Sequence, residues 1–363
     1  MISGTGVGLM TNAIPLYQTE IAPANMRGRL ISLFALFSSF GQMMGYMVAY
    51  GSSYLQMDWS WRAPWFIQLM LCSLYIATTY FLPCSPRWLI SQGRQEEGLQ
   101  VLCDMYHTSS DDSVLQDMYS EIVSLIETED QLKEHSSFLA LFQDSNNLKR
   151  TCCALFVSLA TCFSGNIVVT FYAPQIFREA GLDSVSGSLA LTGAISGLSL
   201  LFSAISLYCW IDSWGRKALF FTGSVISAVC MIVMGYVFHF FATWDDGNMT
   251  VNNIYACGVI IVCMVLFSAS FAGTWGVANY VYTAEIFSMR CRAKGLSLTY
   301  ALSWASSILI TFVVPYCLSY SASEVYLFFG ACSVITLVGI VYIPETKRKS
   351  LEQIDSMFIG KQS

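Results

Sequence analysis

Nine stretches of mostly apolar residues recur along the chain, at roughly 1–19, 32–54, 63–83, 151–174, 187–210, 218–242, 254–284, 296–319 and 324–343. Each approaches the ~20 residues that an α-helix needs to cross a bilayer. Single runs of this kind also occur as core helices of water-soluble proteins, but not in such a series with so few charges inside them. The pattern predicts an all-α fold, a polytopic bundle of membrane helices. The seventh stretch is long and holds Gly273 and Gly276, which predicts a tilt or a break there.

A polar stretch, 84–150, separates the third run from the fourth. Leu115, Met118, Ile122, Ile126 and Leu132 recur in it near helical spacing, with acids on the other face, so it reads as amphipathic helices. Four parts follow. Residues 1–83 form a three-helix bundle, 84–150 a helical linker, 151–345 a six-helix bundle and 346–363 a short tail.

Charge orients these parts. Basic residues gather on the cytoplasmic side of membrane proteins. With the segment after the first helix placed in the cytoplasm, all but Arg62 and Arg178 of the 18 Lys and Arg residues share that side. The linker and the C-terminus are then cytoplasmic. The opposite side holds Asp245, Asp246 and the sequon Asn248-Met249-Thr250, which makes Asn248 a glycosylation candidate.

Composition excludes several function classes. Only 12% of residues are charged and 55% are hydrophobic, whereas a soluble domain carries about 25% charged residues. A net charge of −6 disfavours a nucleic-acid partner. The 13 cysteines and three histidines show no metal-ligand spacing. No Ser-His-Asp set or phosphate-cradling loop is legible, so neither an enzyme nor a cofactor is expected. Gly4, Gly6 and Gly8 lie inside an apolar helix, where small residues favour helix packing. No cleavable signal peptide is visible, and the chain opens within a membrane helix.

Short charged clusters mark the cytoplasmic helix ends, and two of them match. One runs from Pro15 through Glu20 and Arg27 to Gly28; the other runs from Tyr282 through Glu285 and Arg292 to Gly295. In both, a Glu closes an apolar helix and an Arg follows seven residues later. The repetition suggests two related halves, as in alternating-access transporters. Asp212-Ser213-Trp214-Gly215-Arg216-Lys217 forms a third cluster. A Glu at a helix C-terminus opposes the helix dipole and needs a cation, and Arg can meet it bidentately. Glu20, Arg27, Arg87, Asp212, Arg216, Glu285 and Arg292 are therefore candidates for an ionic latch at the cytoplasmic rim; the alternative is ordinary stop-transfer charge.

With these clusters in order, the chain resembles the sugar porter family of the major facilitator superfamily. The matching pieces are PLYQTEIAPANMRGRL, SPRWL at 85–89, DSWGRK, YTAEIFSMRCRAKG and PETKRKSLEQID at 344–355. The resemblance implies a two-domain bundle of twelve helices, with this chain corresponding to helices four to twelve and the N-terminal half incomplete. It implies transport of a sugar or sugar-like polar solute by alternating access, facilitative or coupled to a proton. The plasma membrane is the expected location, and the partners are a small solute and the lipid bilayer.

The chain departs from the family in the pocket. The seventh-helix Gln-Gln pair is absent from Thr161-Cys162-Phe163-Ser164-Gly165-Asn166-Ile167, and the fifth-helix Gln falls on Ala35. The tenth-helix Gly-Pro-x-x-x-Trp pattern becomes Gly276-Val277-Ala278-Asn279-Tyr280. Lost amides are lost donors and acceptors for sugar hydroxyls. Candidate solute-binding residues are Asn166, Tyr172, Asn279, Tyr280, Ser303 and Trp304, with helix packing as the alternative role. Two other readings stand beside transport: a nutrient sensor that binds without transporting, and a truncated, inactive product of a sugar transporter gene.

Overall fold

The computed structural model describes residues 2–21, 27–55, 58–110, 112–131, 138–179, 184–211, 213–245, 248–251, 253–287 and 291–347. A backbone in hydrocarbon has no water to bond, so it must pair its own N–H and C=O groups, and a helix does so within one segment. The apolar runs fold accordingly. Helices α1 (Ile2–Ile21), α2 (Arg27–Ser52) and α3 (Trp59–Tyr80) come first. They contain 20, 26 and 22 residues, or about 30 to 39 Å at 1.5 Å per residue. After the polar stretch come α8 (Ser145–Thr161), α9 (Ile167–Glu179), α10 (Val185–Ile205), α11 (Arg216–Phe241), α12 (Ile254–Gly273), α13 (Trp275–Ile286), α14 (Arg292–Tyr320) and α15 (Ala322–Tyr342). Among the described residues, six spans are long and apolar enough to cross a membrane: Ser145–Arg178, Ser186–Trp210, Arg216–Phe241, Ile254–Ile286, Arg292–Tyr320 and Ala322–Tyr342.

The polar stretch is helical, as its periodicity predicts. It forms α4 (Pro86–Ser91), α5 (Gln95–Tyr106), α6 (Ser113–Gln131) and α7 (Ala140–Gln143). Ser85 caps α4 by accepting from the backbone N–H of Trp88. The Arg94 guanidinium beside Glu97 holds that carboxyl below the usual carboxylate range. Leu132, one of the residues that set the helical period, lies outside the described residues.

Two spans are irregular inside the bundle. Between α8 and α9 the chain makes a π-helical turn, Cys162–Asn166, in which Gly165 has φ +93°. The backbone angle is what demands glycine; a Cβ there would press on Met231 Cε, the end of a flexible side chain. The break expected near Gly273 and Gly276 falls on Thr274, at φ −119° and ψ −85°. A second π turn, Ser206–Trp210, ends the α10 span.

The six later spans bury a common core. Phe220 packs on Trp275 at 4.5 Å and edge-on against Tyr282 at 5.7 Å, while Phe238 stacks on Tyr326 at 5.1 Å. Helix α3 has no buried residue, and its Trp65, Phe66, Leu69 and Met70 are exposed, as suits lipid contact. One element was not foreseen. The loop after α11 pairs β1 (Ala242–Asp245) with β2 (Asn248–Val251) in an antiparallel hairpin, Asp245 opposite Asn248. The Asn248 side chain lies outside the described residues.

Gly165→Ala should destabilise the protein by about 1–3 kcal/mol, read as a lowered thermal midpoint in detergent. An unchanged midpoint would show that the turn tolerates a Cβ.

Candidate functional site: a hydroxyl-lined cavity above an ionic rim

Helices α2, α9, α10, α12 and α13 enclose a cavity of about 170 Å³, room for a small solute rather than a single water. Helix α10 forms one wall. Its residues Ser188, Thr192, Ser196, Ser199 and Ser203 follow one another at three- and four-residue steps, which aligns them on one helical face. Thr192, Ser196 and Ser199 line the cavity. Each hydroxyl donates to its own helix: Thr192 to the Ser188 carbonyl at 2.8 Å, Ser196 to Thr192 at 2.9 Å and Ser199 to Ile195 at 3.1 Å. A hydroxyl buried in an apolar bundle needs such a partner, and the carbonyl one turn back is the nearest acceptor.

Ser38, Ser39 and Gln42 face this wall from α2, and Asn166 and Thr170 from the π turn and α9. Asn166 accepts from Thr170 Oγ1 through its side-chain oxygen at 3.2 Å. Tyr280, on α13 after the break at Thr274, also lines the cavity, its ring edge-on to Phe34 at 5.1 Å.

Of the six solute candidates, Asn166 and Tyr280 line the cavity. The other four are elsewhere. Tyr172 ties α9 to α14 by donating to the Thr311 carbonyl at 3.1 Å. Ser303 lies 3.4 Å from Cys162 Sγ, Trp304 is 44% exposed, and the Asn279 side-chain oxygen is buried without a hydrogen-bond partner. The wall on α10 and Gln42 escaped the sequence reading. The signal for Gln42 was its place two helical turns past Ala35, the position at which the pocket amide was taken as lost.

The second feature is ionic. Glu285, in the last turn of α13, meets Arg216 Nη2 at 2.8 Å through Oε1, and its Oε2 accepts from Thr346 Oγ1 at 2.7 Å. These side chains are only 6% (Arg216) and 19% (Glu285) exposed, so this is no ordinary surface pair. Arg216 also donates to the Ile211 carbonyl at 3.1 Å. Glu345 sits at the N-terminus of α11, where it accepts from the backbone N–H groups of Arg216 and Lys217, both at 3.0 Å. Those N–H groups have no partner inside the helix, and the dipole there favours an anion. Gly215, at φ +91°, leaves the space: a Cβ would stand 2.9 Å from Glu345 Oε2. The clusters at 212–217, 282–295 and 344–347, far apart in sequence, thus meet at one point.

The remaining rim candidates are placed as follows. Arg292 opens α14 and is buried, Glu20 lies in the last turn of α1 and Arg87 lies in α4. The Arg27 side chain and Asp212 fall outside the described residues. The cation that meets Glu285 is Arg216, at the start of α11.

The family model for sugar (and other) transporters matches residues 1–358. The chain belongs to this family. It is an integral, multi-pass membrane protein of the major facilitator type. It is 27% identical over 361 residues to a high-affinity gluconate transporter of Schizosaccharomyces pombe, covering 99% of this chain and 63% of that protein. It is 26% identical over 369 residues to a probable quinate permease of Aspergillus fumigatus, covering 99% and 67%. The chain thus spans about two thirds of the length of these relatives. Among solved structures it overlays on the proton:xylose symporter XylE bound to 6-bromo-6-deoxy-D-glucose with a TM-score of 0.81, at 26% identity, covering 98% of this chain and 72% of that one.

Glu345→Ala should lower stability by about 1–2 kcal/mol through loss of the α11 cap. Asp58→Ala, which removes the exposed pair with Arg62, should change it by less than about 1 kcal/mol. Equal thermal shifts for the two variants in detergent would contradict the capping role.

Proposed function

We propose that the protein moves a small polyhydroxylated solute of the sugar kind across the plasma membrane by alternating access. The observation that carries this reading is the hydroxyl- and amide-lined cavity in the middle of an apolar bundle, above an ionic cluster at one rim. Polar groups at membrane depth are costly unless they serve a pathway or a site. Membership of a transporter family, and relatives whose names carry gluconate and quinate, support the same reading.

Residues 1–83 and 151–345 are then the two rocking parts. Residues 84–150 are a cytoplasmic linker, and 346–363 a cytoplasmic tail. Described hydrogen bonds across the seam between the parts are neutral, and they accompany apolar packing of α2 on α10 and α13, including Phe34 against Tyr280. Asn12 Nδ2 donates to Ser297 Oγ at 2.9 Å, Tyr46 donates to the Thr170 carbonyl at 2.5 Å, and Ser39 and Ser203 lie 3.2 Å apart. Each is worth about 1 kcal/mol net, and the apolar packing beside them adds to the hold between the parts. The Glu285–Arg216 pair holds the later helices together at the rim, and Glu20, Arg27, Arg87, Asp212 and Arg292 extend the latch. Asn166 and Tyr280 contact solute in the cavity, and a proton is a candidate co-substrate.

Glu285→Gln, Arg216→Ala and Arg292→Ala should each cut uptake of labelled hexose or polyol into proteoliposomes by roughly tenfold or more while the protein still inserts; breaking a buried pair costs about 3–5 kcal/mol. Normal uptake by all three would remove the latch. In intact cells, Cys103 of the linker should resist an impermeant thiol reagent; rapid labelling would reverse the topology.

A further inference from the structure

The cavity has a chemical polarity of its own. A hydroxyl has one proton to give and two lone pairs to receive. Thr192, Ser196 and Ser199 have spent their protons on carbonyls of α10. On the facing side Ser39 donates to the Ala35 carbonyl at 3.1 Å and Thr170 donates to Asn166. What these five groups can still offer a solute is lone pairs. Among the described residues, the side chains lining the cavity include no Lys, Arg or His; donors come from the amides of Gln42 and Asn166 and the hydroxyls of Ser38, Ser268 and Tyr280, away from the α10 wall.

We propose that the α10 wall of Thr192, Ser196 and Ser199 selects its solute by accepting hydroxyl protons, so that the cavity takes an uncharged polyol and turns away the carboxylate of the same carbon skeleton. The proposal rests on the transport reading above and sharpens it. A polyol brings a donor on every carbon and satisfies the wall without disturbing the helix. The acid keeps its other hydroxyls, but its carboxylate group brings acceptors only. Against this wall its oxygens face lone pairs with no proton between them, and among the lining residues no cation offsets its desolvation. The α10 hydroxyls could serve it as donors only by giving up their bonds to the helix backbone. This is recognition by rejection of the wrong polarity, as much as by attraction of the right one.

The test uses the full chain in nanodiscs at neutral pH and three matched pairs of probes: glucitol and gluconate, mannitol and mannonate, xylitol and xylonate. At least one polyol should bind about tenfold or more tightly than its acid. Thr192→Val keeps the side-chain shape and removes the acceptor. It should weaken that polyol by about tenfold, the worth of one buried hydrogen bond, and leave the acid unchanged, so the ratio collapses; Ser196→Ala should act in the same direction. Acids binding as tightly as their polyols, or more tightly, would overturn the inference and leave the transport reading standing. Unaltered polyol binding by both variants would overturn it equally. Failure of all six probes to bind would overturn the inference; failure of glucose and xylose as well would remove the transport reading. The wild-type comparison does not depend on whether either variant folds.

Discussion

A polar group inside hydrocarbon must find its partner within the protein. That constraint shapes both functional features. It turns the apolar runs into helices, since a helix pairs its own backbone. It also dictates what the polar side chains on those helices do. The hydroxyls of α10 lie within an apolar bundle, and they bond to carbonyls one turn back. Having done so, they present a face of lone pairs to the cavity. Backbone economy and solute selection are then two results of one set of hydrogen bonds.

The rim obeys the same rule with charges. Glu285 closes a helix at the end where the dipole disfavours it. Arg216 and Thr346 occupy its two oxygens, while Glu345 takes the free N–H groups that start α11. Each ionised group thus answers a backbone or side-chain need of another element. Such a cluster is rigid while whole and fails as a unit, which suits a latch. Described hydrogen bonds from α2 to α9 and α10 are neutral, and apolar packing lies beside them.

Much of this was legible in the residues. The apolar runs became helices, because length and hydropathy decide that matter in a bilayer. The break expected near Gly273 falls on Thr274, beside Gly223 of α11, which leaves room for the Thr274 side chain. The hairpin at 242–251 was overlooked although Asp246-Gly247, a strong turn dipeptide, lies between its strands. The clusters of the rim were visible, but their pairing was not. The fold brings Arg216 to Glu285 from the start of α11. The α10 hydroxyls stood in plain sight at helical spacing. In a membrane helix Ser and Thr also serve simple packing, so only the cavity beside them distinguishes the two roles.

Helix α10 turns a wet, hydroxyl-bearing face inward and an apolar face to lipid, and solute selection depends on that division. It is tested most directly by introducing single cysteines at Ser199 and, as the lipid-facing control, at Leu201, which is 60% exposed. A hydrophilic thiol reagent is applied to the reconstituted protein, and modification is located by peptide mass spectrometry. Rapid modification is expected at 199, slowed by a bound polyol, and little at 201, where the thiol meets hydrocarbon. Equal modification of both positions, or none at 199, would contradict the inward-facing hydroxyl wall.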